Sequence, residues 1–223
     1  MQRVSSPEIL DSNTCPKDEV ETSLQDLCRI NRWFGGVATT RKMIERIASV
    51  TGKRNFSLLE VAAGYGEVPR QAGEQLSRKG IGLQVTDLDR VPTHLQHSHR
   101  ALVADALALP FQDNSFDIVS CSLFAHHLEP SELARYGEEA CRVTRVAVLI
   151  NDLIRHPLHL ALVYAGFPLM RSYISRRDGV TSVRRAYEPE EMRRILCSNA
   201  CCAKLEISRH YLFRMGVIVW KAG

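Results

Sequence analysis

Three acidic residues, Glu60, Asp89 and Asp105, each stand at or just after the end of a short apolar stretch. The stretches have the composition of buried β-strands, and the carboxyl ends of parallel strands meet at one edge of a sheet, where ligands bind. Carboxylates at that edge accept hydrogen bonds from ammonium, amino and hydroxyl groups. The three acids therefore predict one binding site for a ligand that carries such donors.

A turn of small residues follows the first of these strands. The sequence LLEVAAGYGEVP, residues 58–69, places Gly64 and Gly66 between Glu60 and a helical pattern with Pro69 in its first turn. Glycines let a ligand approach the backbone closely, and the free N–H groups and dipole of a helix N-terminus favour electron-rich atoms. The stretch predicts a strand, a ligand-binding turn and a helix.

The spacing of these residues limits the class of ligand that the site could bind. Asp89 lies 23 positions after Gly66, near the distance at which nucleotide-binding sheets place an acceptor for ribose hydroxyls. A dinucleotide-binding GxGxxG turn would need a third glycine where Pro69 stands, and the phosphate-binding sequence GK[ST] does not occur. Glu60 would also repel a nearby pyrophosphate. A cationic or zwitterionic nucleoside suits the three acids better than a dinucleotide.

These motifs resemble those of class I S-adenosylmethionine-dependent methyltransferases, in particular the small-molecule branch with the ubiquinone and menaquinone C-methyltransferases. LLEVAAGYGE is similar to the first motif of that family and VTDLDR to the second. ADALALPFQDNSFDIVSCSLFAHHL, residues 104–128, is similar to the third and fourth motifs and is the most specific match. The resemblance extends over about residues 56–152. One departure is Ala62, which stands where the family has a glycine and adds a methyl group beside the methionine part of the cofactor.

The resemblance implies S-adenosylmethionine as cofactor and a role for each matching residue. Glu60 would hold the methionine amine, Asp89 the ribose hydroxyls and Asp105 the adenine amino group. Gly64 and Gly66 would let the backbone approach the ligand. The complete set of implied cofactor-binding residues is Glu60, Ala62, Gly64, Gly66, Asp89, Asp105, Ala106, Ser122 and Leu123.

Candidate residues for the methyl acceptor are less specific. His126 and His127 follow the fourth strand, so either ring is a candidate general base, with local packing as the alternative. Asn151 and Asp152 end the fifth strand and are candidates for holding a polar group of the substrate or for capping a helix. Trp33 and Phe34 are candidates for a lid over the site or for packing between two helices.

A metal site is not predicted. His94, His97 and His99 would spread over roughly 200° of a helix rather than share one face. The seven cysteines form no CxxC pair, and the cysteines near the C-terminus lack a histidine or acid at ligand spacing. We therefore expect a surface helix at the histidines and packing roles for the cysteines.

The elements that position these residues follow from hydrophobic periodicity. We predict an α/β fold, a doubly wound Rossmann-like sheet of about seven strands with helices on both faces and the last strand antiparallel. Residues 1–17 are polar and predicted to be disordered, residues 18–52 to form helices that cap the site, and residues 53–223 to form the methyltransferase domain. Residues 179–187 are predicted to form a loop.

Composition bounds the class of protein. The chain has 223 residues, 45% of them hydrophobic, and a net charge of +4, which does not call for nucleic acid as a partner. An odd number of cysteines and the absence of an apolar leader favour a reducing, cytoplasmic location. Residues 156–170 are apolar but too short to span a bilayer, so an apolar pocket wall, core packing and contact with a membrane surface all stay open.

The function expected from the resemblance is methyl transfer from S-adenosylmethionine to a small, hydrophobic or aromatic acceptor, by C- or O-methylation. Two alternatives come from other classes. One is a catalytically silent S-adenosylmethionine-binding partner protein, although none of the cofactor acids is lost. The other is a nicotinamide-dependent oxidoreductase, which the missing third glycine and Glu60 disfavour. The sequence does not specify the acceptor or the oligomeric state.

Overall fold

A computed structural model describes residues 1–11, 15–96, 98–198 and 202–222 of the chain. Within them, seven strands form one sheet in the order β3-β2-β1-β4-β5-β7-β6. The strands are β1 (Asn55–Val61), β2 (Gly82–Asp89), β3 (Ala101–Val103), β4 (Phe116–Ser122), β5 (Thr144–Leu153), β6 (Cys202–His210) and β7 (Arg214–Lys221). The first five strands pair in parallel, and β7 runs antiparallel to both of its neighbours. The predicted fold class is confirmed.

Helices cover both faces of this sheet. They are α1 (Lys17–Trp33), α2 (Gly36–Thr51), α3 (Glu67–Ser77), α4 (Pro130–Val143), α5 (Pro157–Ala165), α6 (Tyr173–Arg185) and α7 (Pro189–Leu196). Short 3₁₀ helices occupy Ile9–Asp11, Pro92–Leu95, Ala125–His127 and Phe167–Leu169. The surface helix expected at residues 94–99 is thus one short 3₁₀ turn, and His97 lies outside the described residues. Within the described residues, no helix is long and apolar enough to cross a membrane.

The two faces of the sheet bury separate parts of the core. On one face, Leu59 and Val61 of β1 pack with α4 and α7; on the other, Leu58 packs with α2 and α3. Strand β1 is therefore apolar on both faces, as expected of a central parallel strand. Helix α4 begins with a capping box in which Glu129 and Glu132 satisfy each other's backbone N–H groups.

Helices α1 and α6 form a further layer, held by polar contacts. Asp26 of α1 is buried and accepts hydrogen bonds from the backbone N–H groups of Arg171 and Ser172, at 2.8 and 3.0 Å. Helix α6 extends to Arg185, so the predicted loop over residues 179–187 is wrong for most of its length. Gly179 sits inside that helix, where a Cβ atom would lie 3.4 Å from Val163. The glycine fits a close helix contact rather than a loop.

The N-terminal segment, residues 1–11 of the stretch predicted to be disordered, packs against the domain, and residues 12–14 lie outside the described residues. Arg3 donates hydrogen bonds to the carbonyl oxygens of Arg185 and Leu128 at 2.8 and 2.9 Å. Asp178 of α6 accepts the backbone N–H groups of Ile9 and Leu10 at 2.8 and 2.9 Å. The segment is polar because its side chains meet polar partners on α6 and around the Ala125–His127 turn. Those partners are distant in sequence, so the local composition alone does not indicate these contacts.

Candidate active site

A cavity of about 550 Å³ lies at the carboxyl ends of the parallel strands. This volume is in the range of pockets that bury small molecules. Its walls include the strand ends Glu60, Asp89 and Ser122, together with Asp105 two residues after β3. The structure therefore brings the three acids of the sequence analysis to one cavity.

The turn after β1 forms the wall nearest the helix N-terminus. Ala62, Gly64 and Gly66 all adopt left-handed backbone conformations, with φ of 53°, 54° and 63°. At Gly66 a Cβ atom would lie 2.6 Å from Asp87 Oδ2, so a side chain there would clash. Gly66 is the N-cap of α3 and does not itself line the cavity. Its effect is to shape the turn that Ala62 and Gly64 present.

The Glu60 carboxyl group lies at the inner end of the cavity and is buried. Burial, with a contribution from the charge of Asp87, raises the pKa of Glu60 to about 7. Among the described residues, neither Glu60 Oε2 nor Ser122 Oγ has a hydrogen-bond partner. Buried polar atoms without a partner are costly, and a ligand that bears an ammonium group would satisfy an acceptor of this kind.

Asp89 is held rigidly by the turn it faces. Its Oδ2 atom accepts the Gly64 N–H at 2.9 Å, and its Oδ1 atom accepts the Val91 N–H, also at 2.9 Å. These hydrogen bonds and one to His94 outweigh the opposing effect of burial and lower the pKa of Asp89. Asp89 is thus an ionised acceptor of fixed orientation.

Asp105, Ala106 and Leu123 complete the part of the cavity proposed for the cofactor. The Oδ1 atom of Asp105 accepts the Leu107 N–H at 2.9 Å, which exposes the neighbouring Ala106 backbone to the cavity. Leu123 has a φ of 55°, and its N–H donates to the Asn151 carbonyl oxygen at 2.8 Å. Two non-glycine residues that line the cavity, Ala62 and Leu123, therefore hold a strained backbone conformation.

Much of the remaining lining comes from other parts of the chain and is apolar. It includes one residue of the N-terminal segment, three of α1 and two beside the Ala125–His127 turn. These are Leu10, Leu24, Leu27, Cys28, Phe124 and Leu128. Helix α1 therefore covers the cavity, whereas α2 packs on the face of the sheet.

His127 also lines the cavity, but His126 does not. The His126 ring is buried, with Nδ1 at 2.6 Å from Asp152 Oδ1 and Nε2 at 3.3 Å from Glu8 Oε1. Burial favours the neutral ring, but the two carboxylates outweigh it and raise the pKa of His126 to about 10. The catalytic role of His126 stays a prediction, and its buried ring does not line the cavity.

Asn151 and Asp152, the candidates for holding a polar group of the substrate, contact other parts of the protein in the structure. Both side chains are buried, and neither lines the cavity. The Asn151 side-chain amide donates to the Gly36 carbonyl oxygen at 2.8 Å and to Thr40 Oγ1 at 2.9 Å. Asp152 accepts from the His126 backbone N–H at 3.0 Å in addition to the ring. The two residues join α2 and the His126 turn to β5.

Trp33 and Phe34, the candidates for a lid, also lie away from the lining of the main cavity. Trp33 is 55% exposed, and neither residue lines the main cavity. Phe34 instead lines a separate apolar cavity of about 90 Å³, to which Leu162 and Val163 of α5 also contribute. The apolar run at residues 156–170 therefore lies beside this second cavity and is not a wall of the first.

Glu8 is a buried acid beside the cavity residue His127 that the sequence analysis did not single out. Its carboxyl group is buried, accepts a hydrogen bond from Ser182 Oγ at 2.7 Å and lies 3.5 Å from His127 Nε2. Burial favours the neutral carboxyl group, but the hydrogen bond with His126 and the charges of the two histidines outweigh it and lower the pKa of Glu8. The local sequence around Glu8 gave no periodic signal that could have identified it.

Comparison with known proteins agrees with this geometry. Residues 59–149 match the family described as a methyltransferase domain. No curated protein matches the sequence significantly. Several solved structures share the fold at low sequence identity.

Three of these structures illustrate the likeness. A SAM-dependent methyltransferase from Aquifex aeolicus is 16% identical, with a TM-score of 0.61 over 93% of this chain and 100% of the other. The plantazolicin methyltransferase BpumL, in complex with a triazolic desmethylPZN analog and SAH, is 11% identical, with a TM-score of 0.70 over 93% and 92%. Human N-acetylserotonin methyltransferase in complex with SAM is 15% identical, with a TM-score of 0.64 over 92% and 57%.

Residues 59–149 thus match a methyltransferase domain, and the fold of the chain is that of S-adenosylmethionine-dependent methyltransferases. The cofactor of such domains is S-adenosylmethionine. The residues present fit this cofactor, since a buried carboxyl group with an unpartnered oxygen suits its ammonium group and the rigid Asp89 carboxylate suits a pair of ribose hydroxyls.

Proposed function

We propose that the enzyme methylates a small, hydrophobic or aromatic acceptor at oxygen or carbon. The observation that carries this proposal is the division of the cavity. Acids and a backbone turn at the strand ends supply one part of the lining, and apolar side chains from α1, Leu10 and the residues that flank the Ala125–His127 turn supply much of the rest. An apolar wall with few polar groups suits an apolar acceptor.

In this proposal the cofactor residues act through hydrogen bonding and charge. Glu60 holds the methionine ammonium group, Asp89 accepts from the ribose hydroxyls and Asp105 accepts from the adenine amino group. The Ala106 N–H donates to a ring nitrogen. The turn with Ala62, Gly64 and Gly66, together with Ser122 and Leu123, lines the path of the methionine part.

Bound S-adenosylmethionine supplies an electrophilic methyl group on a sulfonium, which is already a good leaving group. The protein therefore contributes mainly alignment of the acceptor and exclusion of water. Leu24 and Leu27 cover the acceptor side, and His127 places its ring at the acceptor's polar group. The role of His127 stays a prediction, with Glu8 behind it to hold the ring.

Two features of the molecule bear on its setting. Cys121 and Cys197 carry free thiols, which agrees with the proposed reducing, cytoplasmic location. The net charge of +4 offers no strong attraction to nucleic acid, so a small molecule is the proposed acceptor.

An acceptor screen tests the proposal. The protein is incubated with S-adenosylmethionine and a panel of phenols, quinols and polyketide-like acids, and the demethylated cofactor and the product masses are measured. We expect methylation of at least one panel member, and Leu27→Trp should raise the KM for that acceptor without weakening calorimetric binding of S-adenosylmethionine. Methylation confined to nucleic acid or protein would contradict the proposal.

A further inference from the structure

Three side chains with metal-binding chemistry converge beside the acceptor side of the cavity. The carboxylate oxygens of Glu8 and the ring nitrogens of His126 and His127 lie within 4.8 Å of one another, and no other group of three such residues meets this condition in the described part of the chain. Two imidazoles and one carboxylate are ligands suited to divalent first-row transition metals such as Zn²⁺. We propose that Glu8, His126 and His127 form a binding site for such a metal ion, with an open position for the acceptor's hydroxyl oxygen.

The distances between the ligand atoms fit a coordinated ion. Glu8 Oε1 lies 3.3 Å from His126 Nε2, and Glu8 Oε2 lies 3.5 Å from His127 Nε2. Zinc bonds to nitrogen and oxygen are about 2.0–2.2 Å long, and tetrahedral geometry then separates neighbouring ligand atoms by about 3.4 Å. The observed separations exceed the usual N–H···O length of about 2.9 Å. The distances from the Glu8 oxygens to both ring nitrogens are therefore those expected between ligand atoms of one ion.

His126 has the orientation of a metal ligand. Its Nδ1 atom is 2.6 Å from the Asp152 carboxylate, which as an acceptor fixes a proton on Nδ1 and directs Nε2 toward Glu8. The buried Nε2 atom lies 3.3 Å from Glu8 Oε1, and an ion that binds there would replace the proton between the two atoms. A carboxylate on the far nitrogen of a histidine is the usual outer support of a metal-bound imidazole. Nε2 is thus a buried atom aimed at Glu8, the second ligand.

The carboxylate of Glu8 has an outer support as well. Ser182 Oγ donates to Glu8 Oε1 at 2.7 Å, and the following backbone N–H groups of Ile9 and Leu10 are fixed on Asp178. The two carboxylates that flank His126, those of Glu8 and Asp152, balance the charge of a divalent ion. Ligand side chains held by outer hydrogen bonds need little reorganisation when the ion enters.

The position of the site indicates what the ion would contact. His127 lines the main cavity together with Leu10, Phe124 and Leu128, whereas Glu8 and His126 lie behind it. Three protein ligands leave a fourth tetrahedral position, as in catalytic zinc sites. Because His127 lines the cavity, the inference, which rests on the proposed function, adds to it a class of acceptor, one with a phenolic or enolic hydroxyl that binds the ion.

The test begins with metal binding, without any acceptor. The full-length protein is stripped with a chelator and titrated with Zn²⁺ against a chromophoric competitor, and with Co²⁺ while its absorption spectrum is recorded. We expect one tight site whose Co²⁺ spectrum lacks the charge-transfer band of a cobalt–thiolate bond, which excludes the cysteines. Glu8→Gln should lower the affinity for the metal by more than about 100-fold, and Ser182→Ala by about 10-fold.

Matched controls separate the site from general effects on the fold. His99→Gln changes an exposed histidine outside the cluster and should leave metal affinity unchanged. Glu8→Gln should retain calorimetric binding of S-adenosylmethionine, which shows that the variant is folded. Absence of a tight site in the stripped wild-type protein, or equal affinity in Glu8→Gln, would overturn the proposal and leave the cluster as a hydrogen-bonded charge network.

The same samples distinguish this inference from the proposed function. Metal binding without methylation of any small acceptor would support the site and contradict the proposed function. Methylation of a phenol at an equal rate by stripped and metal-loaded protein would retain the proposed function and overturn the contact between the ion and the acceptor hydroxyl. A fall of at least 10-fold in the phenol's kcat/KM on stripping, restored by Zn²⁺, is the expected result.

Discussion

The two sides of the cavity differ in how the chain builds them. The cofactor side consists of strand ends and the turns that follow them, between residues 60 and 123, and its hydrogen bonds join residues close in sequence or on adjacent strands. The acceptor side joins the N-terminal segment, α1 and the Ala125–His127 turn, and the Ser182–Glu8 hydrogen bond there spans 174 positions. The first side depends on one sheet, and the second depends on contacts between distant segments.

This difference implies that a mutation can disrupt one side of the cavity and leave the other intact. Parallel strands buried on both faces hold Glu60 and Asp89 whether or not the N-terminal segment is docked. The acceptor side loses Leu10 and Glu8 together if that segment detaches, because both residues belong to it. Variants that act on one side and spare the other therefore test whether the division is real.

Deletion of residues 1–10 should have the largest effect. It removes Glu8 and Leu10 and opens the acceptor side to water, so we expect kcat/KM for the acceptor to fall by about 100-fold or more. The affinity for S-adenosylmethionine, measured by calorimetry, should change far less. An equal loss of cofactor affinity in a deletion variant with an unchanged melting temperature would show that the two sides are not independent.

Asp89→Ala should act on the cofactor side. Loss of hydrogen bonds to a charged acceptor should weaken binding of S-adenosylmethionine by about 1–3 kcal/mol, a factor of about 5 to 150. Asp113→Ala is a matched control, since the Asp113 side chain is 70% exposed and remote from the cavity. Unchanged calorimetric affinity in Asp89→Ala would remove this residue from the ribose role.

The pH dependence of cofactor binding should report on Glu60. Its pKa is about 7 in the free protein, and an ammonium ligand favours the ionised carboxylate. The affinity should therefore be greatest above pH 7 and fall by about 10-fold per unit below it, until the lower pKa of the complex is reached. Glu60→Gln is the control, because it removes the titrating carboxyl group of residue 60 but leaves any pH dependence that comes from the ligand's own groups. An equal slope in both proteins would place the ammonium group elsewhere.

Ala62→Gly should have the smallest effect and the opposite sign. The left-handed conformation of Ala62 costs an L-residue about 1–2 kcal/mol, which glycine avoids. Glycine loses more conformational entropy on folding than alanine, which offsets part of this gain. We therefore expect the free energy of unfolding to rise by about 0.5–1 kcal/mol, measured by urea denaturation. Ala63→Gly, at a neighbouring residue without a positive φ, should instead lower it by about 0.5–1 kcal/mol. Destabilisation by both changes would contradict the strain at residue 62.

The same division explains what could be predicted from sequence. Glu60, Gly64 and Asp89 were identifiable because strand, turn and helix signals occur together in a short stretch with a characteristic spacing. Glu8 was not, because its buried state depends on Ser182 and His126. Local polarity around it indicates disorder unless those partners are known.

Asn151 and Asp152 show a second limit of sequence patterns. Their position at the end of β5 predicts the correct edge of the sheet but not the direction of the side chains. The partners that decide it, Gly36 and Thr40 of α2 and the ring of His126, become visible only in the folded chain. A strand end thus identifies an edge, and packing decides whether a residue there faces ligand or protein.

The contact between Glu8 and Ser182 also has a consequence for synthesis on the ribosome. Glu8 leaves the exit tunnel early, yet its partner follows 174 residues later, about 10 to 35 s at ordinary elongation rates. All strands from β1 to β5 are made in that interval, so the nascent chain completes the acid-lined edge first. The acceptor side closes only when α6 has been translated. A ribosome-bound chain that stops before α6 would therefore bind the cofactor before it could hold an acceptor.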